Sequence, residues 1–104
     1  RQADAATLKA GAGKTLIIAE ALADGAVACG LPRAKAVEYA AMTMAGSAEM
    51  LLATRQHPGA LKDDVCTPGG TTIQAVRVLE ERGFRSALFE AMLKCHFAGA
   101  APTT

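Results

Sequence analysis

The chain has 104 residues and a formal net charge of +1; 51% of the residues are apolar and only 4% aromatic. That is one small domain, and its interspersed acids and bases exclude a nucleic-acid surface and a charged disordered tail. No apolar run reaches the length of a membrane span, Arg1-Gln2-Ala3-Asp4 lacks the apolar core of a secretory signal, and Cys29, Cys66 and Cys95 lie too far apart for a CxxC metal or disulfide pattern.

No metal is therefore expected, and the thiols read as small, buried or partly buried side chains of a reducing compartment. Alanine supplies about a quarter of the residues. Such a composition favours helices whose small side chains allow close approach.

The spacing predicts a first helix over 14–29, with Ile18, Leu22, Ala26 and Cys29 on one stripe. Gly30 is placed to stop it. Pro32 then opens a second helix, in a first turn where its missing N–H does no harm. This helix runs to about Arg55, or about 35 Å, and its stripe is Val37, Ala41, Met44, Ala48, Leu51 and Leu52. A helix so long in so short a chain is expected to pack on a second copy. His57-Pro58-Gly59 ends it, and a short turn or helical piece covers 60–65.

A third helix is expected over 72–82, with Ile73, Val76 and Leu79 inward, and Gly83 ends it. A last helix covers about 85–97, with Leu88, Ala91, Met92 and Cys95 on one face. No strand pattern of useful length is visible. The fold class is therefore all-α: a single helical domain over 1–104, with 1–8 and 98–104 as frayed ends.

Two glycine-bearing stretches ask for a chemical reading. GAGKT, residues 11–15, has the look of a P-loop. That loop needs a second glycine five positions before Gly13, where Leu8 stands, and a strand ahead of it. A dinucleotide fingerprint needs a glycine where Leu16 stands. The stretch reads as a loose lead into the first helix, with Lys14 solvated.

TPGGTT, residues 67–72, carries more. Pro68 and two glycines make a tight turn, and Thr71 with Gln74 fits a capping box. A helix N-terminus with free N–H groups beside two glycines suits an anion, carboxylate or phosphate. The same pattern also describes a plain helix start after a turn. Nearby, His57 reads as a capping or turn residue, because a histidine near a helix C-terminus suits the dipole, and not as a general acid. Lys62 and Asp63 read as a local ion pair.

HPGALKDDVCTPGGTTIQAVRVLEERGFRSAL, residues 57–88, resembles the C-terminal domain of pyrroline-5-carboxylate reductase. EALADGAVACGLPRAKA, residues 20–36, resembles the same family's ALADG helix followed by GLPR. The resemblance implies an intertwined helical dimer, of the type formed by the C-terminal domain of 6-phosphogluconate dehydrogenase, with dimers able to assemble into rings. It implies reduction of 1-pyrroline-5-carboxylate to L-proline with NADPH or NADH, the cofactor resting mainly on a separate Rossmann domain. No metal, nucleic acid or membrane is expected, and the thiols of a reducing compartment fit the cytoplasm, with the mitochondrion as the other option.

Carried over by position, Thr67, Gly70, Thr71 and Thr72 would hold the substrate carboxylate. Thr72 would be the catalytic contact, near the ring nitrogen or the nicotinamide, and Val65 would lie against the cofactor. Hydride passes from the nicotinamide C4 to C5 of a cyclic imine that is reactive once protonated, so the protein chiefly positions its reactants.

The sequence departs from the family in places. The family's GSGPAY-like segment is Lys9-Ala10-Gly11-Ala12-Gly13-Lys14 here, matching only at its third position. Arg55 stands where relatives often carry an acid, and the end of the last helix differs. No Rossmann pattern is present, so this chain alone is expected to be inactive. The alternatives are a non-catalytic helical homo-oligomerisation module and, against the TPGGTTI turn, the helical domain of another dehydrogenase.

Overall fold

The computed structural model describes the backbone of residues 5–99 and the side chains of residues 11–95. Five helices follow one another: α1 (Ala5–Ala28), α2 (Arg33–Thr54), α3 (Pro58–Asp64), α4 (Thr71–Glu81) and α5 (Phe84–Gly99). No strand occurs among the described residues. The chain divides into two compact units, one up to Arg55 and the other from Gln56.

In the first unit α1 packs along α2. The sequence places the start of α1 near residue 14, but the helix begins at Ala5. GAGKT therefore lies within a helix and is not a loose lead. Residues 5–8 and 98–99, expected to fray, are helical as well; the rest of the expected frayed ends lies outside the described residues. Alanines at 5, 6 and 10 sustain this helix, and Thr15 Oγ1 donates to the Gly11 carbonyl at 3.1 Å inside it.

Gly30 stops α1 as expected, at φ 112°. The Leu31 N–H donates to the Ala26 carbonyl at 3.0 Å and the Gly30 N–H to the Val27 carbonyl at 2.9 Å. Together these form a Schellman motif, whose positive φ is open to glycine at little cost. Pro32 is the extended N-cap of α2 and not a residue of its first turn, since the Ala36 N–H donates to its carbonyl at 2.9 Å. Asp24 and Arg33 tie the two helix ends at 2.6 Å, with both side chains more than half exposed.

The fully buried residues are alanines: Ala23, Ala36 and Ala40 are at most 2% exposed, with the partly buried Ala26 and Val27 packed beside them. The expected stripes hold in part: Ile18, Ala26, Met44 and Leu51 are partly buried, and the fully buried Ala23, Ala36 and Ala40 stand next in the chain to the stripe residues Leu22, Val37 and Ala41. Leu22, Val37 and Leu52 stay largely in solvent, Ala41 and Ala48 are exposed, and Cys29, read as a buried or partly buried thiol, is exposed. Two helices approach closest where side chains are smallest, so the alanine faces meet and the larger side chains turn outward. Leu16, Ile17, Tyr39 and Met42 are each more than half exposed.

α2 ends on Arg55, whose N–H donates to the Leu51 carbonyl at 3.0 Å. Arg55 has φ 59° and is, among the described residues, the one non-glycine residue in the left-handed region. In the second unit α4 packs against α5. Ile73, Val76, Leu88, Ala91 and Cys95 are partly buried, while Leu79 and Met92, expected inward, remain about half exposed. Glu80 and Arg85 bridge the two helices at 2.8 Å. Gly83 turns the chain between them at φ 73°.

Candidate anion site at the start of α4

The stretch Thr67-Pro68-Gly69-Gly70 folds as a hydrogen-bonded turn, in which the Gly70 N–H donates to the Thr67 carbonyl at 3.0 Å. Pro68 fixes the first central position, and Gly69 takes φ 71° at the second. That is the residue order of a type II turn. Gly70 is glycine for a different reason. A Cβ there would collide with Thr67 Oγ1 and lie 3.3 Å from the Thr67 carbonyl oxygen. The Thr67 side chain thus packs directly over the Gly70 backbone.

The helix start differs from the capping box the sequence suggests. Gly70, extended at φ −78° and ψ 177°, is the N-cap, and no side chain caps the helix. Thr71 is therefore the first helical residue, and Gln74 stands one position too far along to reach back. The tight fit of Gly70 under Thr67 moves the boundary, because the extended residue that leaves the turn is the glycine. The N–H groups of Thr71, Thr72 and Ile73 open α4 with no side-chain acceptor, at the positive end of an 11-residue helix dipole. Thr67, Thr71 and Thr72 are exposed and Gly70 is half-buried.

α3 leads directly into this turn. The Val65 N–H donates to the Lys62 carbonyl at 3.2 Å and the Cys66 N–H to the Asp63 carbonyl at 3.1 Å. Val65 is the C-cap of α3, with its side chain 54% exposed. Lys62 and Asp63 pair with each other at 3.2 Å, as expected of a local ion pair.

His57 is a capping residue, but at the opposite end from the one expected. It does not serve the C-terminus of α2. It is the N-cap of α3, where its Nδ1 accepts the Gly59 N–H at 2.9 Å. The signal for this was Pro58: a proline favours the first helical position, which makes the residue before it the cap.

The described residues hold no group of three or more His, Cys, Asp or Glu able to bind a metal ion. None of their helices is long and apolar enough to cross a membrane.

The chain matches the family model described as pyrroline-5-carboxylate reductase dimerisation over residues 1–100. It is 66% identical over 76 residues to pyrroline-5-carboxylate reductase of Escherichia coli, which covers 73% of this chain and 28% of that protein. It is 50% identical over 91 residues to pyrroline-5-carboxylate reductase of Synechocystis sp., covering 86% and 34%. Against pyrroline-5-carboxylate reductase 2 of Homo sapiens the identity is 48% over 91 residues, covering 86% and 28%. The chain thus spans about a third or less of the length of these relatives. The all-helical chain belongs to the pyrroline-5-carboxylate reductase dimerisation family.

Proposed function

We propose that this chain is the pairing and substrate-carboxylate domain of an enzyme that reduces 1-pyrroline-5-carboxylate to L-proline with NADPH or NADH. The relatives carry the reductase name, and the family match crosses both compact units, which supports one functional domain over 1–104. The observation that carries the site is the Pro68-Gly69 turn, which opens on a helix start without a side-chain cap. In this reading the α4 N–H groups and the hydroxyls of Thr67, Thr71 and Thr72 bind the substrate carboxylate. Thr72 then lies nearest the reacting ring. Anchoring the carboxylate fixes the imine carbon for hydride transfer, and positioning is the domain's main contribution to rate.

The dinucleotide as a whole does not fit the described residues. They contain no strand leading into a glycine-rich turn, and Gly11 and Gly13 lie inside α1. What fits is a single apolar contact from Val65, which is open to solvent beside the turn. The cofactor is accordingly assigned to a separate domain.

Pairing is supported by the alanine-centred contact between α1 and α2, which leaves Leu16, Ile17, Val37, Tyr39 and Met42 more than half exposed. A second copy intertwined along these faces would cover them, and further assembly of dimers into rings follows the same logic. The reading places the enzyme in the cytoplasm or the mitochondrion.

Two measurements test the proposal. Light scattering behind a sizing column is expected to give a dimer or a multiple of dimers, and a stable monomer overturns the pairing. Calorimetry with L-proline is expected to show binding that Thr72→Ala weakens about tenfold, the scale of one hydrogen bond to a charged group, without changing the dimer. Unchanged affinity removes the carboxylate site.

A further inference from the structure

We infer that His57 is a positioning residue for the Thr67–Thr72 turn, acting through α3; the inference rests on the carboxylate-site reading above. Pro58 has no N–H, so Gly59 supplies the first donor of α3, and His57 Nδ1 takes it at 2.9 Å. The His57 carbonyl accepts the next two, from Ala60 at 2.9 Å and Leu61 at 3.2 Å. One residue therefore receives the first three N–H groups of the helix.

Gly59 fits this arrangement. A Cβ there would press on the imidazole at 3.0 Å from Nδ1 and 3.2 Å from Cε1. The ring sits close over the backbone, and a larger residue at 59 pushes it off the donor.

At the other end, the Val65 and Cys66 N–H groups are held by the Lys62 and Asp63 carbonyls. Thr67 follows at once, and its carbonyl closes the turn on Gly70. A seven-residue helix has few internal bonds, so its order depends strongly on its caps. Loss of the His57 cap loosens α3, and with it the segment that carries Thr67 to its place over Gly70.

The cap needs an unprotonated Nδ1, because an imidazolium has no acceptor and adds positive charge to a helix N-terminus. Nothing offsets that charge by direct pairing: among the described residues no carboxylate forms an ion pair with His57. Lys62 and Asp63 pair with each other, Asp64 ends α3, and Arg55 lies two residues upstream.

The test is amide hydrogen exchange on the full chain, read at Gly59, Cys66 and Gly70, for wild type, His57→Ala and His57→Asn. Asparagine is a strong N-cap. His57→Ala is expected to lower protection about three- to tenfold at all three amides, the scale of a lost cap, and His57→Asn to restore it. If exchange quickens at Gly59 while Gly70 is unchanged, His57 caps α3 and positions nothing, and the inference is overturned. Calorimetry with L-proline separates this outcome from failure of the site itself. No binding by wild type removes the carboxylate reading while the exchange result stands independently. Binding that His57→Ala leaves unchanged removes the positioning role alone.

Discussion

Truncating Leu16 to alanine tests pairing most directly. Leu16 and Val37 line one open groove of about 610 Å3 between α1 and α2, together with Ala19, Ala23 and Ala41 and, at its polar margin, Glu20, Asp24 and Arg33. Leu16 is 66% exposed and Val37 51%. In a lone chain Leu16→Ala removes a side chain that water already covers, and the expected change in stability is within about 0.5 kcal/mol. In a pair whose partner fills the groove, the exposed two-thirds of a leucine side chain becomes buried. Full burial contributes about 1.5–3 kcal/mol, so each copy loses about 1–2 kcal/mol and a symmetric dimer about 2–4 kcal/mol. The dissociation constant should rise by between about thirtyfold and a thousandfold. Serial dilution in an analytical ultracentrifuge reads this directly, and circular dichroism checks that the helices remain. Ala23→Leu is the complementary change. Ala23 is 2% exposed against α2, so enlarging it should cost about 1–3 kcal/mol through overpacking inside one chain. Equal dissociation constants for wild type and Leu16→Ala would refute the argument that this groove receives a second copy.

The two turn glycines should respond differently. Gly69→Ala strains a backbone at φ 71° and should cost about 1–2 kcal/mol in urea denaturation, while leaving L-proline affinity nearly unchanged because nothing lies within 4 Å of its Cβ. Gly70→Ala drives Thr67 out of place and should lower both stability and affinity; a variant with wild-type affinity would show that Thr67 does not matter to the site. Arg55→Gly should stabilise the chain by about 0.5–1 kcal/mol at fixed protein concentration, since glycine accepts φ 59° without a Cβ clash but loses more backbone entropy; a lower denaturation midpoint contradicts this. Asp24→Asn breaks an exposed pair and should change stability by less than about 1 kcal/mol, with a smaller difference from wild type in high salt.

Helix order and most boundaries were legible because the chain punctuates itself. Gly30, Pro32, Gly69 and Gly83 each stand where φ or a missing donor dictates a stop or a turn. The start of α1 was not legible, because glycines at 11 and 13 suggest a break that the surrounding alanines outweigh. The helix faces were misread for a related reason. Hydrophobic periodicity marks the large side chains; it reached the partly buried Ile18, Ala26, Met44 and Leu51 but also selected the exposed Leu22 and Val37, whereas the fully buried residues are Ala23, Ala36 and Ala40. At the site, the turn could be read from Pro68 and Gly69. The N-cap could not, because threonine and glycine cap about equally well and the Thr71–Gln74 spacing imitates a capping box, while the packing of Thr67 over Gly70 is visible only in the fold.

That misreading bears on what the domain is for. Burying a few alanine methyl groups contributes little against the entropy of ordering two helices of 24 and 22 residues. The larger apolar side chains that could offset that entropy, Leu16, Ile17, Val37, Tyr39 and Met42 among them, face outward. Large apolar side chains left in solvent on both helices form a surface that a second copy can cover. Small residues bring α1 and α2 close enough to present their outer faces as one surface, and that surface gains its stabilising free energy only when it is covered. The fold of the first unit and its pairing are then a single thermodynamic event, so dilution should unfold the α1–α2 pair rather than release a stable folded monomer.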